Sequence, residues 1–433
     1  MKPLSPKSLL PLCTFFLLYA VTWVCTGTPD KMPISVAFLV TSVVAVAASR
    51  GRLSDRINTF CSGAANPTIL LMVVIFVLAG AFAGAANAMG AVDATVRMTL
   101  YLLPQNMIMA SIFVAACFIS MSMGTSCGTI AALTPIAVGL SEHTGSALPV
   151  MIGVVVGGAM FGDNLSFISD TTIVATRTQD CRMHDKFKVN LRIVLPAALV
   201  TLGIYIFQGA GAPVAEEEAA INWLKVIPYL AVLVTASAGV NVIVVLLTGI
   251  CLSGATGLLT SGFTVWEWSA AMGNGIVSGM GELIIVSLMA GGMFEMIRFN
   301  GGIDWLVGKL SRNVRSKRRA EASVALLVTV TDCCTANNTI ALIIAGPIAR
   351  HIGERAGIDR RRMASLLDTF SCFAQGIIPY GAQLLIAAGL SGVSPTAMIP
   401  FLYYPFLLGI AAVIAIIFQY PAKYTSGEKK SKT

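Results

Sequence analysis

Between Gly157 and Thr172 the chain reads GGAMFGDNLSFISDTT, which gathers Asp163, Asn164, Ser166, Ser169, Asp170, Thr171 and Thr172 among three glycines. The set is rich in oxygen. Carboxylate, amide, hydroxyl and freed backbone carbonyl are the ligands that a hard cation such as Na+ takes in preference to sulfur or imidazole. A carboxylate drawn out of water also favours its protonated form. The same group can then hold a proton and give it up when a cation arrives, and this competition is sufficient for cation/proton exchange. Two settings fit the motif. In one it lies at membrane depth, where polar, helix-breaking sequence is tolerated only around a protein-enclosed or wet cavity and an ionisable residue costs roughly 2.5–3.5 kcal/mol to insert. In the other it is an external loop whose acids are solvated. The apolar run Pro149–Phe161 before it favours the first.

Two further polar clusters interrupt apolar sequence. One holds Asp332, Thr335, Asn337, Asn338 and Thr339, and its earlier counterpart holds Thr125, Ser126 and Thr129 without an acid. Asn337, Asn338 and Thr339 read equally as helix caps or as ligands; Asp332 lies too deep in its run for a cap and reads as functional. The other cluster holds Asp368, Gln375, Tyr380 and Gln383 around Gly376-Ile-Ile-Pro379. Asp368 fits either a site or a pairing with Arg361 or Arg362. Asp93 and Asp304 end Gly-x-hydrophobic-Asp turns and read as helix-end residues.

The elements that must position these groups follow from composition. The 433 residues are 56% hydrophobic and 12% charged, with mean hydropathy +0.80, against about 25% charged in average soluble proteins. This is an all-α polytopic membrane protein. The net charge of +8 comes from Lys and Arg in short segments between apolar runs, the pattern of cytoplasmic loops, so nucleic acid is not an expected partner; membrane lipid is. The ten cysteines form no C-x-x-C pair, the three histidines are far apart, and no G-x-x-x-x-G-K-[ST] loop occurs. These exclude a disulfide frame, a zinc site and an ATP-driven pump, and no nucleophile–base pairing suggests an enzyme.

A span needs about 20 apolar residues. Ten candidates occur: 9–27, 33–49, 67–89, 149–176 (broken), 189–208, 223–238, 240–259, 281–299, 363–390 (broken) and 397–418. Regions 104–140 and 320–354 are divided by polar cores. If each enters and leaves on one side as a re-entrant hairpin, every basic cluster, including Arg177, Arg182, Lys186, Lys188 and Arg192, is cytoplasmic, as are both termini, and the acidic run Glu216–Glu218 is outside; paired short spans satisfy the same parity. Ala79-Gly80 through Gly90-Ala91-Val92-Asp93 recurs as Ala290-Gly291 through Gly301-Gly302-Ile303-Asp304 at an offset of 211, and Thr129-Ile130-Ala131 as Thr339-Ile340-Ala341 at 210. The loop charges make the two copies inverted, giving halves 1–222 and 223–433. Inverted repeats with discontinuous helices meeting near the midplane are a common secondary-transporter architecture.

The segment Gly162-Asp-Asn-Leu-Ser-Phe-Ile-Ser-Asp-Thr-Thr172 resembles the G-D-N-x-S-P-[IL]-S-D-T-T signature of the NhaC sodium/proton antiporter family. Pro228-Tyr-Leu, Gly239-Val-Asn-Val and Ile378-Pro379-Tyr380 extend the likeness along the chain. The resemblance implies an ion transporter superfamily fold and Na+/H+ exchange across the bacterial inner membrane, or ion-coupled exchange of a small organic acid or amino acid. It implies that Asp163, Asn164, Ser166, Ser169, Asp170 and Thr171 form the site, with Asp163, Asn164 and Asp170 holding Na+. Asp332, Asn337, Asn338 and Thr339 complete it from the second hairpin, and Asp368 and Gln375 from the second break. Na+ and H+ are cargo; no resident cofactor is expected, and a homodimer is left open. The chain departs from the family where Phe167 replaces Pro and where Gln375-Gly-Ile-Ile-Pro-Tyr-Gly381 replaces P-L-I-P-W-N, with Gly381 in place of Asn. Asp368 matches an acidic position frequent in the family.

Overall fold

The computed structural model describes residues 6–27, 31–102, 104–167, 169–209, 222–260, 264–302, 305 and 316–424. Asp304, the run Glu216–Glu218 and the basic residues Lys309, Arg312 and Arg315 lie outside them. Among the described residues the regular structure is all helical. Among these residues five helices are long and apolar enough to cross a membrane, or six if the pair Ala382–Ser391 and Pro395–Phe401, bent by 102°, counts as one span. Four of the five remaining expected spans fall on shorter apolar helices, such as Ile34–Ala48 and Tyr403–Ile417.

The helices lie where apolar sequence runs uninterrupted, and they end where it does not. Helix Leu148–Leu165 stops at Ser166, whose backbone is extended, and helix Asp170–Gln179 starts after Ser169, whose side chain caps it by accepting from the Thr172 amide. The break begins only after Leu165, so Asp163 and Asn164 still belong to the last helical turn. The second break runs from Gly376 to Gly381, between helices Arg360–Gln375 and Ala382–Ser391.

Each polar core becomes a tight turn between two helices. Ile108–Met123 and Ser126–Thr144 meet at Gly124 (φ 71°) and Thr125 (φ −150°). Lys317–Thr335 and Asn338–Ala356 meet at Ala336 (φ 48°) and Asn337 (φ −151°). The same left-handed-then-extended pair therefore occurs in both turns. Glycine serves the first without strain; Ala336 accepts a conformation that L residues disfavour.

Glycine spacing brings the first turn to the first break. A Cβ on Gly158 would lie 2.6 Å from the Phe113 carbonyl oxygen, and one on Gly162 would lie 2.4 Å from that of Cys117 and 2.6 Å from the Met121 amide. The two glycines sit one turn apart on a single face. Helix Ile108–Met123 thus approaches helix Leu148–Leu165 backbone to backbone, the small-residue packing that replaces hydrophobic driving force within lipid. Ser166 Oγ then donates to Met121 O at 2.9 Å and Ser120 Oγ to Ala159 O at 2.6 Å.

Candidate functional site

At the end of this glycine seam, Ser126 Oγ donates to Asp163 Oδ2 at 2.7 Å. Gln383 Nε2 donates to the same Ser126 oxygen at 3.0 Å. Gln375 Nε2 in turn donates to Gln383 Oε1 at 2.8 Å and to Ala336 O at 3.3 Å. One hydrogen-bonded line thus runs from the first break through the first turn and both sides of the second break to the second turn. Tyr380 adds a second tie, donating to Cys333 O at 2.8 Å; its ring is packed among Phe15, Phe38 and Phe294.

The line borders a cavity of about 100 Å³ walled by Met72, Ser126, Asp163, Asp170, Thr171, Asn337, Asn338, Thr339, Gln375 and Gln383 among others. Gln375 Oε1 is buried without a partner, an acceptor held at the wall. Asp163 is 4% exposed, whereas Asp170 is exposed at the mouth. A larger cavity of about 420 Å³ lies beside Pro33, Glu282 and Ser394. It gathers only one carboxylate, which accepts from Ser35 Oγ at 2.7 Å, and touches neither polar turn.

Of the ligand set Asp163, Asn164 and Asp170 suggested by sequence, Asp163 and Asp170 border the cavity and Asn164 does not. Adjacent residues in a helix are about 100° apart, so Asp163 faces the cavity and Asn164 faces away. Asn164 Nδ2 donates to Asp368 Oδ2 at 2.9 Å, and Asn190 Nδ2 donates to that oxygen at 3.1 Å and to Asn164 Oδ1 at 3.0 Å. Asp368 pairs with neither Arg361 nor Arg362. Its partner is Lys186 Nζ at 2.6 Å, both side chains being fully withdrawn from solvent. Lys186, expected in a cytoplasmic basic loop, is 1% exposed.

The hydroxyls near the first break also divide. Ser166 and Ser169 donate to main-chain carbonyls, Ser169 Oγ to Asp163 O at 3.1 Å; they shape the break. Asn337 caps its helix, accepting from the Ile340 amide at 3.0 Å, while still bordering the cavity. Asp332 is not brought to the cavity: it is fully buried and neither carboxylate oxygen has a hydrogen-bond partner. Phe167, at the position where proline was expected, stacks on Phe187 at 4.7 Å.

Sequence reasoning set aside Ser126 and Gln383 and missed Lys186 and Asn190. A signal for the last two existed. Lys186, Val189, Asn190, Ile193, Val194 and Ala197 share the buried face of helix Met183–Gly209, so the 3.6-residue period of that face extends back through Asn190 to Lys186.

The model of a family described as the Na+/H+ antiporter family matches residues 26–210 and 211–421. The Na(+)/H(+) antiporter NhaC of Bacillus subtilis is 24% identical over 81% of this chain and 84% of its own length. The malate-2H(+)/Na(+)-lactate antiporter of the same organism is 23% identical over 86% and 85%, and the arginine/ornithine antiporter ArcD of Halobacterium salinarum is 23% identical over 95% and 92%. Among solved structures, the Alcanivorax borkumensis YdaH transporter covers 95% of this chain and 98% of its own at 14% identity, with a TM-score of 0.40.

Proposed function

The chain belongs to the Na+/H+ antiporter family, and from that premise we propose that it exchanges Na+ for H+ by alternating access, with Asp163 as the group for which the two cations compete. It is a multi-pass membrane transporter rather than an enzyme. The observation that carries the site assignment is Asp163 itself, a buried carboxylate at a cavity wall, joined through Ser126, Gln383 and Gln375 to both breaks and both turns. Any motion that separates those elements must rearrange the contacts of Asp163.

In this reading Na+ sheds water for the Asp163 carboxylate, the Thr171 hydroxyl and Gln375 Oε1, all at the cavity wall. Hard cations select such oxygens. A proton on Asp163 removes the charge that pairs with Na+, so one ion leaves before the other binds. Asp170 at the mouth attracts cations without holding them. Ser166 and Ser169 fix the break, and Asn337, Asn338 and Thr339 supply the opposite wall.

The two halves, 1–222 and 223–433, are read as inverted repeats with ten spans, two re-entrant hairpins and both termini on the cytoplasmic side of the bacterial inner membrane. The paired backbone conformations of Gly124-Thr125 and Ala336-Asn337 support this, as does the placement of basic residues.

An organic cargo is the second reading, favoured by the malate/lactate and arginine/ornithine relatives and by the amides of Gln375, Gln383 and Asn338 at the cavity. Purified protein in vesicles separates the two. An imposed Na+ gradient should move protons in buffer free of organic solutes, and raising Na+ tenfold should move the pH midpoint of transport toward acid. Proton movement that appears only on adding a carboxylate or amino acid would transfer the assignment to the second reading.

A further inference from the structure

The coordination of Lys186 is that of a cation in an oxygen cage. Nζ lies 2.6 Å from Asp368 Oδ2, 2.6 Å from Asn164 O and 2.7 Å from Thr172 Oγ1. An ammonium has three N–H donors, and each meets a different kind of oxygen: carboxylate, main-chain carbonyl and hydroxyl. The carbonyl belongs to the last helical turn before the first break, where the helix no longer supplies it with a donor. Hard cations of nearly the radius of Na+ sit about 2.3–2.6 Å from such oxygens. Asp368 Oδ1, on the same carboxylate, is also buried without a partner. Thr171 borders both Asp368 and the cavity, which connects the two compartments.

A second buried ion pair, among the described residues, shows what a purely structural one looks like here. Arg362, on the same helix as Asp368, meets Glu321 through two nitrogens at 3.0 and 3.2 Å and spends a third on Tyr420 O at 2.6 Å. That is a planar fork matched to a carboxylate. Lys186 is instead a point charge at the centre of unlike oxygens.

We propose that the Lys186 ammonium is a tethered cation occupying a second Na+ site, one that this chain keeps closed to solutes so that a single exchangeable site remains at Asp163. Exchanging ammonium for Na+ conserves charge in the cage. The inference goes beyond the exchange reading and rests on it only in naming Asp163 as the remaining site; the cage itself is assayed by binding and stability rather than by transport, so the two readings can fail separately.

The test uses the full chain in detergent, with Na+ as the probe and choline at equal ionic strength as the control. Lys186→Ala leaves Asp368 without a counter-ion, so the variant should be markedly less heat-stable than wild type in choline. Adding NaCl should raise its melting temperature by about 3 °C or more beyond any rise in wild type, the scale of a ligand at many times its Kd in a protein of this size. Equilibrium binding of radioactive Na+ should show one additional ion per chain. Both gains should persist in an Asp163→Asn background, which separates this site from the exchange site. Lys186→Gln, which keeps a polar side chain one bond shorter but not the charge, should show a weaker gain of the same sign. The double variant Lys186→Ala/Asp368→Asn should show none. Equal Na+ gains in the double variant, no gain in either single variant, or failure of both single variants to fold in NaCl would overturn the proposal.

Discussion

The two broken helices sit on the same hydrogen-bonded line with different chemistry. The first offers Asp163 and is braced by backbone: Gly158 and Gly162 lie against main-chain atoms of helix Ile108–Met123. The second offers Gln375 and Gln383 and is braced by side chains, with Tyr380 in an aromatic cluster and the space at Gly381 limited chiefly by the Gln375 amide. Along this line the charge thus lies at the first break and the neutral amides at the second. A site divided in this way can keep its carboxylate fixed while the amides follow the change in occupancy.

The largest effect should come from removing the charge. Asp163→Asn keeps an acceptor for Ser126 but no longer balances a cation, so Na+-driven proton flux should fall about a hundredfold, the scale of losing one partner of a buried charge pair, while the melting temperature changes little. Flux within a few-fold of wild type would remove Asp163 from the exchange.

Next in size is the contrast in bracing. Gly162→Ala drives a methyl group into backbone that cannot rotate away and should destabilise the protein by about 1–3 kcal/mol. Gly381→Ala has an ordinary φ of −77° and meets the Gln375 amide nitrogen at 2.9 Å and the Ile378 carbonyl oxygen at 3.2 Å; its melting temperature should fall less than that of Gly162→Ala. Equal losses would mean that the two breaks are equally rigid. A smaller effect is expected on the neutral side itself. Gln383→Ala removes the donor to Ser126 and should weaken apparent Na+ affinity by about five- to tenfold, as for the loss of one buried hydrogen bond, without abolishing exchange.

Much of this was legible in the sequence, for physical reasons that also mark where reading stopped. Asp163 stands out because hydrocarbon tolerates such a residue only at a wet or enclosed site, and the polar interruptions at 124–129 and 332–339 predict both turns. Side-chain direction was not legible. Asp163 and Asn164 are adjacent in sequence, and only the register of the last helical turn sends one side chain to the cavity and the other to Asp368. Lys186 itself was read by the charge rule for loops, which counts lysines near a span without asking which side of the helix they occupy. Asp332 shows the converse: depth in an apolar run identifies a buried acid but does not say that it reaches the common cavity.

The smallest effect is expected at Asp170, which the sequence made an equal partner of Asp163. It is exposed at the first turn of helix Asp170–Gln179, where a negative side chain complements the helix dipole. Water and salt reach it freely, so its pull on an entering cation should be weak and screened. Asp170→Asn should raise the Na+ concentration for half-maximal flux by about threefold at low salt, and the difference should vanish near 1 M choline chloride, where the Debye length is about 3 Å. Asp163→Asn should keep its full defect at the same salt, because a buried pair is screened far less. If the two variants instead lost flux equally at every ionic strength, the acids would form one site in spite of their unequal exposure, and the division of labour between a buried exchanger and an exposed attractor would fail.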